Sequence, residues 1–147
     1  MKIALVAGGH LPIPPQGWGG VEHLIWNFHN QLTERGDEVV LVNTTDLKDV
    51  VTTINNGNFD AVHLHYDQYS EIMSHINCDK KLITSHYPNL ENPEPQYLFL
   101  YDLLKNSDAH IVCLSDRIEK EFVNRGCDST NVSILPCGID VDLYSID

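Results

Sequence analysis

The opening run Ile3-Ala4-Leu5-Val6-Ala7, apolar at every position and stopped by Gly8-Gly9, constrains this chain more than any other feature. A strand without a polar face must be covered on both sides, as strands are in parallel sheets flanked by helices. The pattern recurs. Val39 to Val42, Asp60 to His65, Lys81 to Ser85, Asp108 to Leu114 and Val132 to Leu135 read as short strands, each separated from the next by helical or turn-rich sequence. This alternation predicts an α/β fold: a Rossmann-like, three-layer parallel sheet with helices on both faces. At 147 residues the chain is expected to hold one domain, residues 1–136, with an irregular segment over 137–147.

The helices carry their own signals. From Gly20 to Arg35 the residues Val21, Leu24, Ile25, Phe28 and Leu32 form one stripe, and Gly36 follows as the residue after the cap. Asp46 caps a helix with Leu47, Val50, Val51 and Ile54 inward, closed by Asn56-Gly57. Tyr69, Ile72, Met73 and Ile76 mark a short helix at helical spacing. Pro88, Pro93 and Pro95 make a loop, after which Tyr97, Leu98, Tyr101 and Leu104 form an inner face. Ser115 caps a helix carrying Ile118 and Phe122 and ending at Gly126.

Composition narrows the partners. Nine Lys and Arg against 21 Asp and Glu give a net charge of −12 with no acidic block, which repels phosphate backbones and argues against nucleic acid. Cys78, Cys113, Cys127 and Cys137 show no metal-type spacing and read as reduced thiols. The apolar start is too short for a signal-peptide core, no run approaches membrane-spanning length, and a cytoplasmic protein is expected.

In open α/β sheets ligands bind beyond the carboxyl ends of the strands. After the first strand, Pro15-Gln16-Gly17-Trp18-Gly19-Gly20-Val21-Glu22 runs into a helix N-terminus, where free amides and the dipole favour an anion. It fits neither the dinucleotide fingerprint nor the P-loop, and its glycines also suit a plain surface loop. Within it Trp18 and Glu22 are candidate substrate contacts, although Glu22 equally suits the helix dipole. His86 ends the fourth strand, where it can serve as a base, bond a sugar hydroxyl, or be structural. His63 and His65 share a face of the third strand, but no third ligand at motif spacing supports a metal site. His65 is kept as a candidate substrate contact. Asp67 either binds a hydroxyl or caps the following helix.

Taken in order, Pro14-Pro15 through Gly19-Gly20-Val21-Glu22, Asp60 to His65, Thr84-Ser85-His86, Ile111 to Ser115 and Ile134 to Asp140 resemble the N-terminal domain of the retaining GT-B glycosyltransferases of family 4. The resemblance implies that the Gly19 and Gly20 amides face the diphosphate of a nucleotide-sugar donor and that His86 is catalytic, beside the transferred sugar. It also implies that residues 137–147 begin an interdomain linker, with Cys137 where the family has Asn. No cofactor or metal is implied, the donor being a substrate and a glycan or other hydroxyl compound the acceptor.

The family's C-terminal donor-binding domain has no counterpart here. The chain is therefore expected to supply the acceptor side of a cleft completed by a second GT-B domain, in the same or a separate chain, and to be weakly active or inactive alone. The alternative is a stand-alone, non-catalytic module that binds a glycan or a protein.

Overall fold

The computed structural model describes residues 1–86 and 98–138. The expectations for Pro88, Pro93, Pro95 and Tyr97, and for all but the first two residues of the 137–147 segment, lie outside the described residues. Along the chain come β1 (Lys2–Ala7), α1 (Gly20–Glu34), β2 (Glu38–Asn43), α2 (Leu47–Gly57), β3 (Ala61–Leu64), a 3-10 helix (Asp67–His75) and β4 (Lys81–Thr84). There follow α3 (Leu98–Asn106), β5 (His110–Cys113), α4 (Asp116–Asn124), a 3-10 turn (Ser129–Asn131) and β6 (Val132–Ile134).

The six strands form one sheet in the order β2-β1-β3-β4-β5-β6, parallel throughout. The order reverses between β1 and β3, so the carboxyl ends of those strands flank the crevice where a doubly wound sheet takes its ligand. Ala4, Leu5, Val6 and Ala7 are all buried, as a strand covered on both faces requires. Ala4 and Val6 join the larger core with α2, the 3-10 helix, α3 and α4, whereas Leu5 and Ala7 pack with Ile25 of α1. The two helical layers are thus unequal, with α1 on one face.

Local chemistry explains the boundaries. Asp46 accepts bonds from the Lys48 and Asp49 amides, and Ser115 from that of Ile118. At the end of α1 the Gly36 amide donates to Thr33 O and that of Asp37 to Leu32 O, a Schellman closure. At the end of α2, Gly57 lies inside the helix and Asn58, at φ 50°, makes the left-handed turn instead.

Two elements differ from the sequence reading. Residues 67–75 wind as a 3-10 helix because Asp67, Ser70, Met73 and Ile76 are all buried, a period of three that two polar members hide. In α3 the inner face is Leu100, Tyr101 and Leu104, while Leu98 is 41% exposed. At roughly 100° per residue Leu98 falls on the flank of that stripe. No helix among the described residues is long and apolar enough to cross a membrane.

Candidate functional site

Beyond β1 the chain turns at Gly8-Gly9 and is pinned by Asn43 at the end of β2. The Gly9 amide donates to Asn43 Oδ1 at 2.9 Å, and Asn43 Nδ2 donates to Leu11 O at 2.9 Å. The Tyr69 hydroxyl donates to Gly8 O at 3.0 Å, tying the 3-10 helix to the same turn. The glycine-rich loop then enters α1 through Gly19, whose φ of 141° suits glycine and which offers no side-chain cap. Its carbonyl accepts from the His23 amide, leaving the amides of the first turn without a capping side chain.

Among the described residues nothing stands within 4 Å of where a side chain would begin at Gly17 or Gly20. A small anion therefore has room to approach the helix end. Glu22 folds back over that end, its Oε2 2.8 Å from the Cβ position of Gly19, where a carboxylate complements the dipole. Trp18 is 91% exposed.

The second group stands at the ends of β3 and β4. His65 Nδ1 and His86 Nε2 are 3.0 Å apart, one donating and the other accepting, and their rings stack at 5.3 Å. The His63 ring lies tilted against that of His65, centroids 4.0 Å apart, and meets the Thr84 hydroxyl at 2.6 Å through Nε2. Phe28 of α1 lies 6.0 Å from the His63 ring and 5.8 Å from that of His65. On the other side Ser85 Oγ donates to Asp67 Oδ2 at 2.8 Å, both residues being fully buried. Asp67 is the first residue of the 3-10 helix rather than its cap.

Burial sets the protonation of this group. It pushes His63 and His86 down to about 4, with the His86 charge a further cause at His63. His65 is held well below the imidazole range by burial, then by the charges of His63 and His86. Asp67 is raised to about 7 by burial, opposed by the Ser85 hydrogen bond. At neutral pH the rings are uncharged, so they act as hydrogen-bonding groups rather than cations.

Of the residues singled out in the sequence, the structure joins His65 with His86, and sets Asp67 against the residue next to His86. Gly19, Gly20, Trp18 and Glu22 form a separate group at the head of α1. The α1 helix, through Phe28, links that group to the histidines. Thr84, Ser85, Tyr69 and Asn43 were not anticipated. For Asn43, Thr84 and Ser85 the sequence signal was position, at or just past the end of a strand, whereas Tyr69, inside the 3-10 helix, had only its place in a helical stripe. Among the described residues no group of three or more His, Cys, Asp or Glu is arranged to hold a metal ion. A groove of about 670 Å³ lies between α2 and the 3-10 helix, lined by Lys48, Glu71 and His75 among others, and includes neither the histidine cluster nor the glycine-rich loop.

Solved structures share this architecture. The chain is similar to HepE of Anabaena in complex with UDP and glucose, at 14% identity and a TM-score of 0.66, covering 100% of this chain and 47% of that one. In complex with UDP-glucose the same protein aligns at 13% identity and a TM-score of 0.64, covering 100% of this chain and 46% of HepE. AviGT4, a glycosyltransferase involved in avilamycin A biosynthesis, aligns at 14% identity over 92% of this chain and 63% of its own, with a TM-score of 0.47, below the level at which a shared fold follows. At these identities the likeness to HepE is one of fold, and this chain spans slightly under half of the HepE length. No family model and no curated protein matches the sequence.

Proposed function

We propose that this chain is the N-terminal, acceptor-side domain of a retaining GT-B glycosyltransferase that transfers a sugar from a nucleotide sugar to a hydroxyl acceptor. The observation that carries this reading is the pair His65 and His86 at the carboxyl edge of β3 and β4, next to the point where strand order reverses. The HepE complexes with UDP and UDP-glucose support a nucleotide sugar as donor, and the ordered motifs support family 4 and retention of configuration. In this proposal the Gly19 and Gly20 amides meet the diphosphate, and His86 hydrogen-bonds the transferred sugar. Trp18, Glu22, His65 and Asp67 shape the substrate side.

The mechanism asks little of charged side chains here. The head of α1 offers amides and a dipole to the negative charge that builds on the departing diphosphate. His86, neutral and anchored by His65, aligns a hydroxyl rather than contributing charge. A second domain, following 137–147 or in another chain, closes the cleft and supplies the remaining donor contacts. The four free thiols accord with a reducing compartment, and a cytoplasmic site belongs to the same proposal.

The test is to isolate the native product with an antibody to this domain and assay sugar transfer from UDP-glucose and other nucleotide sugars to hydroxyl acceptors. Transfer lost on blocking this domain supports the proposal. A product that binds glycan without transferring sugar, whatever second domain is added, replaces the enzyme with a binding module.

A further inference from the structure

We propose that Asp67 is a positioning residue for His86, acting through its buried hydrogen bond to Ser85. Asp67 and Ser85 lie at the seam between β3 and β4. The backbone ladder of these strands runs from Val62↔Lys81 to Leu64↔Ile83. Past it, the next amide of each strand bonds to the strand on its other side. The His65 amide donates to Val6 O of β1 and the Ser85 amide to Val112 O of β5, each at 2.9 Å. What holds the seam closed there is side chains: His63 with Thr84, His65 with His86, and Asp67 with Ser85.

These bonds grip the seam from both faces. Thr84 and His86 meet the histidines on the α1 side, and Ser85, between them in sequence, points the other way to Asp67. Asp67 lies two residues after His65, and Ser85 immediately before His86. One short hydrogen bond thus fixes the backbone on both sides of the imidazole pair.

Packing alone gives no reason for a carboxyl in this place. Asp67 is fully buried, and among the described residues neither its Oδ1 nor Ser70 Oγ, one 3-10 turn away, has a partner. Such atoms cost folding free energy that an apolar side chain of similar volume would not. A buried, incompletely paired carboxyl beside a strand-end crevice is the pattern of a group retained for a site. This inference rests on the reading of His86 as the ligand-facing residue.

The experiment follows the His86 imidazole by NMR in the 147-residue chain, with thermal unfolding measured alongside. Wild type is expected to titrate near 4. In Ser85→Ala and Asp67→Ala the loosened ring gains access to water and its proton affinity rises at least about tenfold, one unit toward 6.5. Asp67→Asn retains an oxygen that accepts the Ser85 hydroxyl and leaves His86 near its wild-type value. A lower melting temperature with an unmoved His86 in Ser85→Ala marks a merely structural role and overturns the proposal. So does Asp67→Asn shifting His86 as far as Asp67→Ala. If Asp67→Ala does not fold, Ser85→Ala with Ser85→Thr as the hydroxyl-restoring rescue decides. UDP-glucose added to the same samples separates the two ideas, because a ring held by the clamp but untouched by that ligand contradicts the proposed function while upholding the clamp.

Discussion

His65 Nδ1 lies 3.0 Å from His86 Nε2, which leaves Nδ1 of His86 as the ring nitrogen not engaged in that contact. His65 is 1% exposed, so it stands behind His86 rather than beside it at the surface. An anchored ring of this kind is already oriented when a ligand arrives, which lowers the cost of binding.

His86→Ala is expected to reduce sugar transfer by the complete enzyme about tenfold or more, the order of one lost hydrogen bond to a substrate. Circular dichroism should stay close to wild type, because the ring is only part-buried and belongs to neither apolar core, while the melting temperature falls modestly because the buried His65 loses its partner. Unchanged turnover removes His86 from the site.

Stability should rise from about pH 4 to about pH 7 and then level off, three histidines outweighing one carboxyl. Burial lowers His63 and His86 to about 4 and His65 well below 6.5. Between about 4 and 6.5 the unfolded chain therefore binds protons that the folded chain refuses, and stability falls as pH drops through that window. Asp67 acts oppositely. Raised from 3.8 to about 7, it holds a proton in the folded state that the unfolded chain has released. Its contribution is complete below 3.8 and lost as pH rises through 7. Melting temperature should therefore rise with pH across that window, and Asp67→Asn, which removes the opposing contribution, should steepen the rise. A flat profile from about pH 4 to 8 contradicts these assignments.

Gly9→Ala should cost on the order of 2 kcal/mol or more in urea unfolding, the range of enforced backbone strain. The residue sits at φ 75°, and an added Cβ would fall on the Thr44 backbone, which cannot swing aside as a side chain can. The same change would displace the Asn43 bond that shapes the start of the glycine-rich loop. An alanine variant of wild-type stability would show that this turn is not fixed as described.

Trp18→Ala should leave stability within about 0.5 kcal/mol, since the indole is 91% exposed. If the loop meets substrate, the loss appears as weaker acceptor or donor binding. Trp26, stacked on His29 at 4.9 Å, provides the fluorescence of the folded state. A large fall in melting temperature for Trp18→Ala would instead make it a packing residue.

Much of the fold was legible because its signals are local. The apolar run Ile3 to Ala7, the caps Asp46 and Ser115, and the stripe of α1 each specify their element within a few residues. The 3-10 helix was not, since buried Asp67 and Ser70 look polar and carry half of its period. The site was legible only in outline. His86 and the glycine-rich loop follow from lying after strands, but the pairing of His65 with His86 and of Asp67 with Ser85 joins residues 21 and 18 positions apart. Those pairings depend on the parallel register of β3 and β4, which no local pattern encodes.

The most direct test of the central claim is an NMR titration of this chain with UDP-glucose, observing backbone amides and histidine rings. Shifts are expected at the Gly19 and Gly20 amides and at the His86 ring, with Lys48 and His75 in the groove between α2 and the 3-10 helix unmoved. No response at Gly19, Gly20 and His86, or a response centred on that groove, contradicts it.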